Sequence, residues 1–435
     1  MDTKSPTLLI LSQVYVPDPA SVGQHLHDTA VEMTERGVRV RVVTSARGYE
    51  SPDRKYPAKE VRDGVYVRRL PLSSFGKRSI ATRLLGQCVF LVQAVVRGCL
   101  TRRLRGILVS TSPPMCSVAA LCIAAIRRVP IVYWVMDINP DQAIQMGVFS
   151  KTAWPVRAFH LLNRFILRGA TRVVTLDRFM AARLLEKRDI ADKLDVFPPW
   201  PHDGHVAPIP HANNPFRRRH GLEGKFVVMY SGNHSKAHPI STLLKAAKRL
   251  EFDNDIRFVF VGGGHQKREV EERIQGGAPN LISLPYEPLE QLKYSLSAAD
   301  VHVVTVGEAV VGIVHPCKIY GAMAAARPIL LIGPDPSHAS EILDETGCGR
   351  RVPHGDVDGA VDAIRELARM TPFERAQMGH AAREFVALTV SKERLCGRLG
   401  DILCQCMEGS HERDVLPFEP PTAEEPREEE VRKAA

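Results

Sequence analysis

The sequence predicts an α/β fold of two doubly wound domains in series, facing each other across a central cleft. Three observations predict it. Apolar, strand-like runs alternate with helix-spaced segments from Leu8 to Leu176; a polar, proline-rich stretch then intervenes from Phe197 to Pro215; and the same alternation restarts at Lys225. Alternation of this kind argues for parallel sheets covered by helices on both faces.

Taken in order, "LLILSQV" opens the first domain as a strand. A helix follows from Ser21 to about Arg36, with Val22, Leu26, Ala30 and Met33 at helical spacing and Gly37 ending it. "VRVRVVTS", "GVYVRRL", "GILVSTS", "PIVYWVMD" and "RVVTL" read as further strands, with helical stretches at 115–128 and 151–168. In the second domain "KFVVMYSG", "IRFVFVGGG", "NLISLPY", "DVHVVTV" and "RPILLIG" are strands, and Ser241–Leu250 and His265–Gln275 are helices. A helical stretch follows Thr371 and a last helix runs from Ser391 to about Met407. The chain thus divides into a first domain over 1–205, a second over 206–390, and a helix over 391–407 that should pack back on the first. The charged remainder, 408–435, is too poor in apolar residues to fold by itself. No internal repeat is evident.

At 435 residues the chain is long enough for two cores. Net charge is +9 although Glu424, Glu425, Glu428, Glu429 and Glu430 crowd the end, so the folded part is more basic than the whole. A basic surface suits anionic ligands, acidic lipid or nucleic acid, and is equally an ordinary soluble surface. Aromatic residues make up only 6% and are not interleaved with the basic ones, which argues against a nucleic-acid stacking platform. Nine cysteines show no CxxC pair and no zinc spacing, and no secretory signal precedes the first strand; both point to a reducing cytoplasm. "LLGQCVFLVQAVV", Leu84 to Val96, is too short to span a bilayer. With arginines on both sides it reads as a buried helix or, in the minority reading, as one lying on a membrane surface.

Ligands of such sheets bind beyond the carboxyl ends of the strands. Five loops there are unusual. "YVPDPASVGQH" places small Ser21 and Gly23 at a helix entrance, where backbone can approach a phosphate or simply make a turn. "STSPPMC" offers Ser110, Thr111 and Ser112 to a substrate or as helix caps. In "YWVMDINPDQA", Asp137 follows an apolar strand and Asp141 comes one turn later; Asp137 is either a helix cap or a cleft carboxylate for sugar hydroxyls. "YSGNHSKAHP" turns at Gly232 and Asn233, leaving Lys236 free to reach a diphosphate. "VGGGHQKRE" ends a strand in Gly262, Gly263 and Gly264, which admit a ligand to the backbone. "DND", Asp253 to Asp255, stands among no other candidate ligands and reads as a solvated turn, so no metal site is assigned.

The stretch "GIVHPCKIYGAMAAARPILLIGP", Gly312 to Pro334, adds histidine, cysteine and lysine at a helix entrance. With "TSPPM", "YWVMDINPDQAIQMG", "YSGNHSKAH" and "LPYEPLEQLKYSLSAADVHVV" before it, the chain resembles the family 4 retaining glycosyltransferases of the two-domain, Rossmann-like GT-B fold. The closest subgroup builds bacterial exopolysaccharide and O-antigen repeat units, and the resemblance runs from about Leu8 to about Arg394. It implies that Val314, His315, Pro316, Cys317, Lys318 and Tyr320 hold a donor's phosphates beside the Gly232–Asn233 loop. It also implies sugar transfer from a UDP- or GDP-sugar to a lipid-linked saccharide at the inner face of the cytoplasmic membrane, with no metal cofactor. Lys236 and Lys318 would meet the charge that grows on the leaving diphosphate. Asp137 would orient hydroxyls, and Ser21, Ser112 and Asp141 would line the acceptor side. One departure stands out: Gly321 occupies the place of a ribose-binding glutamate, leaving Glu341 or Ser340 as substitutes, since the spacing of Glu308 does not match. His315 also reads as a loop cap and Cys317 as a small core residue. A sugar-nucleotide epimerase of related fold and a non-catalytic nucleotide-sugar binder are the competing functions.

Overall fold

The computed structural model describes residues 5–18, 20–48, 55–71, 80–113, 115–201 and 208–409, with the side chains of 80–84 and of residue 289 outside that description. The acidic tail beyond residue 409 and Lys77 therefore lie outside the described residues.

Eight strands form the first sheet: β1 (Thr7–Leu11), β2 (Arg39–Ser45), β3 (Lys59–Arg62), β4 (Val65–Leu70), β5 (Leu104–Ser110), β6 (Ile131–Val135), β7 (Arg172–Thr175) and β8 (Leu194–Val196). Their order is β3-β4-β2-β1-β5-β6-β7-β8, parallel except for the β3–β4 pair. Six more form the second: β9 (Phe226–Ser231), β10 (Ile256–Val261), β11 (Leu281–Leu284), β12 (Val301–Thr305), β13 (Ile329–Ile332) and β14 (Gly349–Val352). Their order is β11-β10-β9-β12-β13-β14, all parallel. Central strands such as β1 and β13 are buried on both faces, the reason they read as unbroken apolar runs.

The architecture is two Rossmann-like units whose strand ends face a shared cleft. Three strands are additions to the sequence reading. β3 is a polar edge strand joined to β4 by Asp63 and Gly64, both at positive φ, the geometry of a tight Asp-Gly hairpin. β8 and β14 are only three and four residues long. The helices Arg178–Lys187 and Val357–Arg369 are likewise additions, and the latter buries Ala360, Val361, Ile364 and Leu367 at helical spacing.

On one face of the first sheet the Ser21–Glu35 helix lies against the Lys392–Glu408 helix, which also covers β5 and β6. Arg36 fastens this contact, reaching Asp401 at 2.6 Å and the Gly397 carbonyl at 3.0 Å, while Lys392 pairs with Asp28 at 2.6 Å. The opposite face carries the helices Ile80–Cys99, Cys116–Arg127 and Trp154–Gly169 side by side. Among the described residues no helix is long and apolar enough to cross a membrane.

Candidate active site

Each half delivers loops to the cleft from its strand ends, and the loop over 312–317 joins them. Ile138 N–H donates to the Ile313 carbonyl at 3.0 Å, and Asp137 and Val314 form an isolated antiparallel bridge. The strand-end carboxylate of the first half is thereby set beside the helix Lys318–Ala324 of the second.

Lys318 is the centre of the site. Its ammonium donates to the Tyr230 hydroxyl and, at 2.6 Å, to the Asn233 carbonyl, and lies 4.2 Å from the centre of the Tyr230 ring. Burial in the surrounding protein strips water from it and pushes its pKa down to about 7. A cation held by neutral acceptors and a ring, with no carboxylate paired to it among the described residues, is short of a counter-anion.

Glycines make this possible. Gly232 has φ +126°, and a Cβ there would lie 2.8 Å from Lys318 Cε. Gly262 has φ +128°, and its Cβ would fall 2.1 Å from the Gly232 carbonyl oxygen; at Gly264 (φ +125°) the obstacle is Asn233 Oδ1 at 2.4 Å. The two strand-end loops are therefore nested backbone on backbone, with His234 N–H donating to the Gly263 carbonyl at 2.7 Å. Exposed Tyr286 borders them, 3.0 Å from where a Gly263 Cβ would stand. Half-buried His238 binds the Thr305 carbonyl at 2.8 Å, and desolvation lowers its pKa to about 3, so it is neutral.

Asp137 lies on the floor of the cleft, where burial pushes its carboxyl up to about 6. Its N–H donates to Thr111 Oγ1 at 3.3 Å and its Oδ1 accepts from Gln142 Nε2 at 3.3 Å. No cation pairs with it among the described residues, unlike Asp141, which Lys187 grips at 2.8 Å through both oxygens. Asp141 is a strut between helices, and its carboxylate is already occupied.

The remaining expected residues fall in two groups. Val314, His315, Pro316, Cys317 and Tyr320 flank Lys318; His315 and Tyr320 are buried, whereas Cys317 is exposed rather than a core residue. Lys236 is exposed and has no partner among the described residues, free to reach across the loop. Gly23 serves packing: a Cβ there would meet Tyr15 Cα at 3.1 Å. Ser21 Oγ contacts His25 Nδ1 at 3.3 Å, and the Ser112 carbonyl receives Gln13 N–H at 3.0 Å and Ser12 Oγ at 3.1 Å. Of the two substitutes for a ribose-binding glutamate, Ser340 is spent in a capping box with Ser337, and Glu341 is ion-paired to Arg178 of the first half. Asp253 Oδ1 receives Asp255 N–H at 3.1 Å, closing a local turn.

Sequence reasoning passed over Tyr230, Asp177 and His338. Tyr230 closes a strand and Asp177 precedes a helix as an N-cap, a signal that was legible; nothing in the sequence points from His338 to Tyr320 Oη, 2.8 Å away.

These two domains in series are those of glycosyltransferases. Residues 21–200 match the "Glycosyl transferase 4-like domain" and residues 225–370 the "Glycosyl transferases group 1" domain. The chain is 23% identical over 404 residues to the putative colanic acid biosynthesis glycosyl transferase WcaI of Escherichia coli (strain K12), covering 89% of this chain and 97% of that one. It is 29% identical over 241 residues to the probable glycosyltransferase WbjE of Pseudomonas aeruginosa, 54% of this chain and 60% of that relative's length. Among solved structures, sucrose-phosphate synthase from Thermosynechococcus elongatus superposes with TM-score 0.74 at 16% identity, over 93% of this chain and 100% of that one. Anabaena Alr3699/HepE in complex with UDP-glucose does so with TM-score 0.67 at 16% identity, over 92% and 99%. The fold is GT-B.

Proposed function

We propose that the chain transfers a sugar, with retention, from a nucleotide-sugar to a hydroxyl of a lipid-linked saccharide in the biosynthesis of a cell-surface polysaccharide. The observation that carries this is the Lys318 ammonium beside the nested Gly232 and Gly262 loops, a cation held by a hydroxyl and a backbone carbonyl with no carboxylate paired to it among the described residues. A diphosphate supplies the missing charge, and more of it as the glycosidic bond breaks, so Lys318 favours the transition state over the bound donor. Exposed Lys236 adds a second cation from the same loop. In the front-face reaction the bond from the anomeric carbon to the phosphate oxygen breaks. The acceptor oxygen bonds to that carbon from the same side, and its proton passes to the leaving phosphate. Asp137 orients sugar or acceptor hydroxyls across the bridge to Val314. Charge neutralisation by lysines leaves no step that requires a metal. The UDP-glucose in the Alr3699/HepE complex supports a UDP-sugar donor, with a GDP-sugar as the other choice.

The test is thermal stabilisation of the full chain by UDP, GDP, ADP and their sugar conjugates, with Lys236→Ala and Lys318→Ala alongside. A shift with one nucleotide that both variants lose supports the donor site; no shift with any overturns it. Binding without nucleotide release across many acceptors would instead mark a non-catalytic binder, the reading favoured by Gly321 and by the engagement of Glu341 with Arg178.

A lipid-linked acceptor calls for a peripheral seat on the inner face of the cytoplasmic membrane, and one face fits. The helices Ile80–Cys99, Cys116–Arg127 and Trp154–Gly169 contain no Asp or Glu. Leu85, Val92 and Val96 form an exposed apolar stripe on the first; Trp154, Leu161 and Phe165 do so on the third, with Trp154 79% exposed. Exposed Arg97, Arg102, Arg103, Arg157, Arg164 and Arg168 flank the two stripes, each able to gain about 1 kcal/mol near an anionic surface. Co-sedimentation with phosphatidylglycerol vesicles should fall with salt and with the pair Trp154→Glu and Phe165→Glu. Absence from such vesicles at low salt would rule this seat out.

A further inference from the structure

The loop that presents Lys318 belongs by chain to the second half but is held by the first. Gly312, at φ +70°, brings its backbone so close to the Arg178–Lys187 helix that a Cβ would stand 2.6 Å from the Phe179 carbonyl oxygen. Buried in this contact is Asp177, the N-cap of that helix. Its Oδ1 accepts from Met180 N–H at 2.8 Å, and its Oδ2 faces His315 Nδ1 at 2.7 Å. Both side chains are buried, 3% and 1% exposed. The other ring nitrogen of His315 is 2.9 Å from Tyr320 Oη, which in turn is 2.8 Å from His338 Nε2.

We infer that Asp177, in the first half, is a positioning residue for the nucleotide site of the second: through His315 it sets the loop and the hydrogen-bond chain from which Lys318 projects. An ionised carboxylate offers only acceptors, so His315 must carry its proton on Nδ1. Nε2 is then bare and accepts from the Tyr320 hydroxyl, whose oxygen accepts from His338 Nε2–H. Every hydrogen along Asp177–His315–Tyr320–His338 is oriented from the Asp177 end. Lys318 lies three residues after His315 and two before Tyr320, between the two fixed points. Burial alone would raise the Asp177 carboxyl, but the hydrogen bonds it accepts from His315 and from the Met180 N–H hold it below its ordinary value, which keeps the carboxylate ionised. Separating the halves breaks this pair, so a nucleotide that needs Lys318 in place also favours the halves together.

This inference rests on the proposed nucleotide reading of Lys318, and the test separates the two. Asp177→Asn keeps an oxygen for Met180 but puts an N–H where Oδ2 stood, so His315 must present a bare Nδ1 and the chain reverses. In the full chain labelled with 15N-histidine, two-bond 1H–15N spectra, with His315→Ala identifying the signal, should show His315 as the Nδ1–H tautomer in wild type and as Nε2–H in Asp177→Asn. UDP affinity by calorimetry should fall about tenfold in Asp177→Asn. His315→Asn, whose amide N–H can still reach Asp177, should keep most of the affinity that His315→Ala loses, which a purely structural contact would not require. An Nε2–H tautomer in wild type, or equal UDP affinity in wild type, Asp177→Asn and His315→Ala, overturns the inference. No binding of UDP, GDP or ADP to wild type instead removes the nucleotide reading, and the positioning role with it.

Discussion

A methyl group on Gly232 would lie 2.8 Å from Cε of Lys318. The lysine stem runs across the bare Cα, and that close pass is what lets the ammonium reach the Asn233 carbonyl. Gly232→Ala must both displace the stem and force an L-residue to φ +126°. The strain should cost about 1–3 kcal/mol in chemical denaturation. Nucleotide affinity, read by calorimetry on the folded variant, should drop at least tenfold; unchanged affinity would mean that Lys318 is not what the anion meets.

Acid and base limbs should be close together. Asp137 ionises at about 6 and Lys318 loses its proton at about 7 in the free protein. If ionised Asp137 and protonated Lys318 are the working forms, kcat/KM rises through the first value and declines above the second. Asp137→Asn should remove the acid limb. Lys318→Ala should remove the alkaline limb along with most of the rate. Bound diphosphate raises the lysine pKa again, so the profile of kcat alone should extend further into alkali. A flat kcat/KM between pH 5 and 9 would contradict both assignments.

The buried Asp137 carboxylate also costs stability. Its folded pKa lies above the ordinary aspartate value of 3.8, so the folded protein holds the proton more tightly than the unfolded chain does. The cost is absent well below pH 4, grows from pH 4 to 6, and is constant above 6. At about 1.4 kcal/mol per pKa unit it amounts to roughly 3 kcal/mol at most. Asp137→Asn should therefore be more stable than wild type at pH 7.5 and indistinguishable from it at pH 4, while transfer activity falls. Equal denaturation midpoints at pH 7.5 would count against the raised pKa.

Ala326 sits at φ +53°, and the Pro372–Thr389 helix passes it so tightly that a Cβ on Gly379 would be 2.0 Å from the Ala326 carbonyl oxygen. Two opposite outcomes are expected at neighbouring points. Ala326→Gly should stabilise by roughly 1 kcal/mol, because left-handed backbone costs alanine more than glycine. Gly379→Ala should destabilise by more than about 2 kcal/mol, since backbone must move. Urea denaturation of both variants measures the pair, and the same sign for both would refute the geometry.

Much of this architecture was legible. The central strands of both sheets are apolar on both faces, and such runs cannot be mistaken for loops. β3 was not seen because an edge strand has one exposed face and "KEVR" carries no apolar pattern, although the Asp63–Gly64 turn beside it was a readable hairpin sign. The Val357–Arg369 helix, by contrast, carries a regular apolar spacing that is legible in the sequence. At the site, Lys318 and the Gly232 loop were legible because glycine, lysine and a strand end announce close approach to an anion. The occupation of Asp141 by Lys187 was not, since 46 residues separate them.

The sequence by itself determined two parallel sheets, the loops at their carboxyl ends and the residue types able to face a phosphate, since those follow from local periodicity, glycine and charge. Only the tertiary structure decided which carboxylates are free and which are spent. Among the described residues Asp137 has no cation, Asp141 has Lys187, Glu341 has Arg178 and Asp177 has His315. Each pairing joins residues far apart in the chain, and the physical reason is common to all. A buried charge is settled by whatever counter-charge or donor the fold brings within about 3 Å, and no local pattern in a sequence carries that distance.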